Sequence, residues 1–114
     1  MSKITISNVP NSSKDRMNGN VPWIDGYVEC RKIEKKKELP DACPACGKRT
    51  SDFDGCHVYV KGGDSEVFIV PMCHQCNTTD SEKEISASWL ETRDDVLRQC
   101  IICSSCDWSF KQQL

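Results

Sequence analysis

Cys43-Pro44-Ala45-Cys46-Gly47 and Val70-Pro71-Met72-Cys73-His74-Gln75-Cys76-Asn77 decide how this chain is read. Each stretch holds a Cys-x-x-Cys step, and two residues between cysteines let both sulfurs reach one ion at about 2.3 Å. Two such steps close a tetrahedral shell, so the spacing points to zinc held by Cys43, Cys46, Cys73 and Cys76. A closed shell has no position for substrate, which makes the metal structural. Gly47 follows Cys46 where the turn of a knuckle calls for positive φ. A redox dithiol and plain buried cysteines are the competing readings.

The 26 residues between the two steps contain Val58-Tyr59-Val60 and Val67-Phe68-Ile69-Val70, separated by Lys61-Gly62-Gly63-Asp64-Ser65-Glu66. β-Branched and aromatic runs around paired glycines read as a β-hairpin. After the second step, Asn77-Thr78-Thr79-Asp80-Ser81-Glu82 offers capping residues for a helical turn. Ile85, Ala87 and Trp89 alternate like a strand, while Ile85, Trp89 and Val96 also share one helical face, so periodicity leaves both open. Residues 93–99 read as a short helix, with Asp94 and Asp95 at its start and Arg98 near its end, as the helix dipole favours.

A further group, Cys100, Cys103 and Cys106, recurs in steps of three. Three thiols need a fourth ligand, and Cys30 or Cys56 could complete a second zinc site, with His57 and His74 in reserve. The alternatives are a buried Cys100 with free Cys103 and Cys106, or a redox pair. One zinc ion is therefore expected, or two if the second group also binds.

Composition narrows the setting. The 114 residues are 38% hydrophobic with a mean hydropathy of -0.53, little apolar material for a core, so bound metal is expected to contribute to stability. Nine cysteines would suit a secreted disulfide scaffold, but Met1-Ser2-Lys3-Ile4-Thr5-Ile6 has no apolar stretch of signal-peptide length. A reducing cytoplasmic or other intracellular location is expected, with no membrane span. The net charge is -2, and a tetrathiolate zinc centre would take it to about -4. That balance weakens nonspecific attraction to nucleic acid.

Towards the N-terminus, residues 1–22 are rich in Asn and Ser around one short alternation at Ile4 and Ile6, and read as a flexible arm with at most one edge strand. The segment from Pro22 to Ile33 brings Trp23, Ile24, Tyr27 and Val28, and a strand is expected near 26–33. Arg31, Lys32, Lys35, Lys36 and Lys37 form a basic run around Glu34. It is either a solvated face or a phosphate-contacting patch.

Taken together, Cys43-Pro44-Ala45-Cys46-Gly47, Gly55-Cys56-His57-Val58, Gly62-Gly63 and Val70 to Asn77 resemble the HNH family of treble-clef nucleases. The resemblance spans residues 43–77. It implies a structural zinc on the two cysteine pairs, His57 as the general base that deprotonates water for attack on a phosphodiester, and Asn77 at the last motif position. The chain departs from the pattern where an Asp should precede the catalytic His: Cys56 stands there, removing a hard carboxylate. Thr78-Thr79-Asp80-Ser81 also replaces the basic Lys-Gly element that often follows the second knuckle.

The expected architecture is thus a small α+β, zinc-stabilised treble clef (ββα-metal, HNH-like) with short strands, a hairpin and one or two short helices. Residues 23–114 would form one zinc-binding domain with its HNH-like core at about 43–84. The expected function is a non-catalytic module that binds nucleic acid or a protein partner through its basic run or through Trp89, Trp108 and Phe110. The alternative is a metal-dependent DNA endonuclease using His57.

Overall fold

Trp23, Tyr27 and Cys30 recur at the four- and three-residue intervals of a helical stripe, and in the computed structural model all three are buried on α1, Trp23–Ile33. The strand expected near 26–33 is therefore a helix. Its apolar residues satisfy the helical period across the whole segment, and Pro22 sits at its N-cap, outside the hydrogen-bonded turns. The structure describes residues 3–10, 17, 21–79 and 81–102, the last four as backbone only.

The other elements are β1 (Lys3–Asn8), β2 (Asp54–Val60), β3 (Phe68–Met72), the one-turn α2 (His74–Asn77), β4 (Lys83–Ser86), β5 (Glu91–Thr92) and α3 (Arg93–Ile102). The strands form one antiparallel sheet in the order β4-β1-β2-β3-β5. The expected β2–β3 hairpin is present, with Cys56 opposite Val70 and His57 opposite Ile69. The helix at 93–99 is present too, as part of α3. Ile85 lies on a strand, with Ala87–Trp89 in a 3-10 turn behind it.

The arm expected over residues 1–22 is corrected at residues 3–8, which form β1, and that strand lies inside the sheet between β2 and β4 instead of at an edge; residues 1, 2, 11–16 and 18–20 lie outside the described residues. Ile6 is fully buried opposite Val60 and Lys83. Met17 and Val21, bridged to each other, are buried beneath α1. A short Ile4-Thr5-Ile6 alternation among polar residues reads as an arm until its partners are known.

Side chains alternate across the sheet and fill two cores. On one face Ile6, Cys56, Val58, Val70, Met72 and Ile85 pack with Phe53 and with Cys43, Cys73 and Cys76. On the other, Ile69 packs with Trp23, Tyr27 and Cys30 of α1 and Val96 of α3. Gly55 lets α1 approach β2: a Cβ there would sit 2.5 Å from the Ile24 nitrogen and 2.7 Å from the Trp23 carbonyl carbon.

Arg31 leaves the basic run for the interior. It is 4% exposed. Its Nε donates to Lys37 O at 2.9 Å, and one terminal nitrogen donates to Ser88 O at 2.8 Å and Glu91 Oε2 at 3.0 Å. The guanidinium also lies over Trp89, 4.9 Å from the ring centroid. Removing one partner of a buried pair strands the other charge, so Arg31→Ala is expected to cost about 3–5 kcal/mol. Urea denaturation should show it, and Arg31→Lys should recover little of the loss, because lysine lacks the planar fork. A midpoint unchanged in Arg31→Ala would refute that role.

Candidate metal centre

Cys43 and Cys46 sit on a turn closed by Gly47 N–H to Cys43 O and Cys43 N–H to Lys48 O, both 2.8 Å. Gly47 takes φ 79°, the left-handed conformation that its position called for. Across from it, Cys73 is the N-cap of α2 and Cys76 lies within that single turn. The Asn8 amide of β1 donates to the carbonyls of Cys76, Asn77 and Thr79 at 2.8–3.2 Å, holding the end of that turn. Asp54 Oδ2 ties the same turn to β2, 2.8 Å from His74 Nδ1 and accepting from Asn77 Nδ2 at 3.0 Å.

The four sulfurs lie within 4.8 Å of one another, with Cys43 to Cys76 at 3.9 Å and Cys46 to Cys73 at 3.8 Å. Tetrahedral thiolates about 2.3 Å from zinc are separated by about 3.8 Å, whereas a disulfide needs about 2.05 Å. The group can therefore hold a metal ion and has the dimensions of a tetrathiolate centre. Cys73 N–H also donates to Cys43 Sγ at 3.4 Å.

Burial raises the Cys43 thiol, but backbone N–H groups of Cys73, Cys46 and Ala45 outweigh it and bring it down to about 7. Cys76 goes the other way, raised by burial and then by hydrogen bonds with Cys73 and Cys46. Four crowded sulfurs cannot all be anionic unless a cation lies among them, which is the electrostatic condition a dication meets.

The remaining candidates are dispersed. Cys56 and His57 are consecutive on β2 and therefore face opposite sides of the sheet. Cys56 lies in the knuckle-side core, its thiol raised by burial and then by Asp54, and donates to Asp54 O at 3.4 Å. His57 is 4% exposed and meets Trp23 edge-on, ring centroids 4.8 Å apart. Cys30 lies in the helix-side core beside Glu91 and Glu34; burial, then those two carboxylates, push its thiol up to about 12. Cys30 and Cys56 thus occupy different cores and do not share a site. Cys103 and Cys106, like Trp108 and Phe110, lie outside the described residues, and of Cys100 only the backbone, in α3, is described.

The basic run is largely paired with acids. Besides the buried Arg31, Lys32 contacts Glu29, Lys36 contacts Glu34 and Glu91, and Lys37 contacts Asp41. The sequence singles out His74 and Asn77 separately, as a reserve ligand and as the last motif position, but not Asp54, which joins them on one carboxylate. Nor does it single out Glu91, which looks like an ordinary surface acid. Among the described residues no helix is long and apolar enough to cross a membrane. Comparison with family models, with curated proteins and with solved structures gives no match to this chain.

Proposed function

We propose that this chain is a non-catalytic zinc module of the HNH-like treble-clef kind, using Cys43, Cys46, Cys73 and Cys76 as the four ligands and docking a protein partner. The observation that carries the reading is the convergence of four sulfurs at 3.8–3.9 Å edges. Zinc bound there would act as a cross-link between the Cys43 turn and α2, since four protein ligands leave no open coordination position. A protein partner is favoured over nucleic acid because the basic run spends its charge internally, on Glu29, Glu34, Asp41 and Glu91. Strong phosphate binding requires several uncommitted cations.

A specific observation keeps an endonuclease as the second reading. His74 is exposed beside the knuckle with one ring nitrogen against the Asp54 carboxylate, a pairing that orients catalytic histidines. His57, buried against Trp23, favours a packing role instead.

Co2+ substitution and a plasmid assay separate the readings. A non-catalytic module is expected to bind its first equivalent with a tetrahedral tetrathiolate spectrum, and to show no cleavage with Mg2+ or Mn2+. Cleavage abolished by His74→Ala or His57→Ala, with the Co2+ spectrum retained, would establish the enzyme. A spectrum lacking thiolate charge transfer would overturn the metal assignment.

A further inference from the structure

A second convergence of ligand atoms lies on the opposite face of the sheet from the knuckles. Cys30 Sγ and one carboxylate oxygen from each of Glu34 and Glu91 lie within 4.8 Å of one another. Cys30 donates to Glu91 Oε1 at 3.7 Å, close to the sulfur–oxygen edge of about 3.6 Å expected around a tetrahedral zinc with thiolate and carboxylate ligands. Cys30 is fully buried and Glu91 is 4% exposed.

The position between the carboxylates already holds a cation. Lys36 Nζ lies 2.9 Å from Glu34 Oε1 and 3.1 Å from Glu91 Oε2, while Arg31 holds Glu91 Oε2 from the interior at 3.0 Å. The two cations differ in how firmly they are kept. Arg31 has two carbonyl partners besides Glu91, whereas the Lys36 side chain is 47% exposed. The backbone beneath Lys36 is pinned independently: Lys35 N–H bonds to Lys32 O, Lys36 N–H bonds to Arg31 O, and Lys35 takes φ 59°. This is a Schellman-type helix end with a lysine in the usual glycine position. The Lys36 side chain can therefore swing into solvent while the helix end stays closed.

We propose that Cys30, Glu34 and Glu91 form a second, exchangeable site for a thiophilic divalent cation of the zinc class, in which the ion displaces the Lys36 ammonium. The charge balances in both states. With Lys36 in place, two carboxylates face Lys36 and Arg31 around a neutral thiol. With the metal in place, the Cys30 S–H bond gives its proton to solvent, and thiolate and two carboxylates face the dication and Arg31. One open coordination position remains for water, which makes this the weaker of the two sites.

The test adds Co2+ to full-length protein already carrying one equivalent of Zn2+, and follows thiolate-to-metal absorption. Wild type is expected to take up one further equivalent. Glu34→Gln should weaken that uptake by about ten-fold or more, and Lys36→Ala, which removes the competing cation, should strengthen it by about ten-fold. Both side chains reach solvent, so folding of the variants is verifiable by their circular dichroism. A Cys103→Ser/Cys106→Ser variant should behave as wild type. No second equivalent in either wild type or Lys36→Ala would overturn the proposal. So would uptake that follows Cys103 and Cys106 and ignores Glu34 and Lys36. The first equivalent of Zn2+ reports on the four-cysteine centre separately.

Discussion

Cys76→Ser is expected to leave the chain without a cooperative unfolding transition, and excess chelator should do the same to wild type. Structural zinc contributes about 10–16 kcal/mol of apparent binding energy in small domains, whereas net stability is about 5–15 kcal/mol. Cys43, Cys73 and Cys76 are also members of the knuckle-side core with Phe53, Val70 and Met72, so loss of an ion bound among them would open that core. Cys56→Ser is the matched control. Cys56 belongs to the same core and is 1% exposed, but it lies outside the four-sulfur group. It should cost only about 1–3 kcal/mol for burying a hydroxyl. Circular dichroism melts and amide spectra would distinguish the two. A Cys76→Ser protein with dispersed amides and a wild-type melt would remove the metal from the account of folding.

Deleting residues 1–8 is the second large effect, and it too should abolish the folded state. β1 separates β2 from β4, so its removal strips both of hydrogen-bond partners and takes Ile6 out of the core. The deletion also reaches the metal centre, since Asn8 holds the carbonyls of Cys76, Asn77 and Thr79. Ile6→Ala offers a milder version, with an expected cost of about 2–5 kcal/mol. Asn8→Ala should leave the sheet paired and instead speed loss of zinc, read by a chromogenic chelator. Wild-type thermal stability in the truncated chain would show that β1 contributes nothing to the fold.

The cysteine substitution and the truncation act on one core from opposite directions. Cysteine substitution would remove the proposed metal cross-link from the loops, while truncation removes the strand beneath them. The helix-side core of Trp23, Tyr27, Cys30 and Val96 is a separate cluster from the knuckle-side core, but the two lie on opposite faces of β2 and β3, and Ile24 and Leu39 pack against both. Failure on either face is therefore expected to propagate through the sheet.

What the sequence determined by itself was local. Ligand spacing in Cys43-x-x-Cys46 and Cys73-x-x-Cys76, the φ requirement at Gly47, the hairpin around Gly62-Gly63 and the charge order of α3 depend on residues a few positions apart. Short-range geometry is enough to recognise them. The tertiary structure alone decided everything that depends on distant partners. Lys3-Ile4-Thr5-Ile6 is a strand because Lys83–Ser86 returns to pair with it. Arg31 left the basic run because Glu91 and Ser88 supply buried acceptors far along the chain. Cys56 and His57, neighbours in sequence and joint candidates for one site, were separated by the pleat of β2. Burial of a charge or a thiol depends on what the folded chain brings against it, and no local pattern encodes that environment.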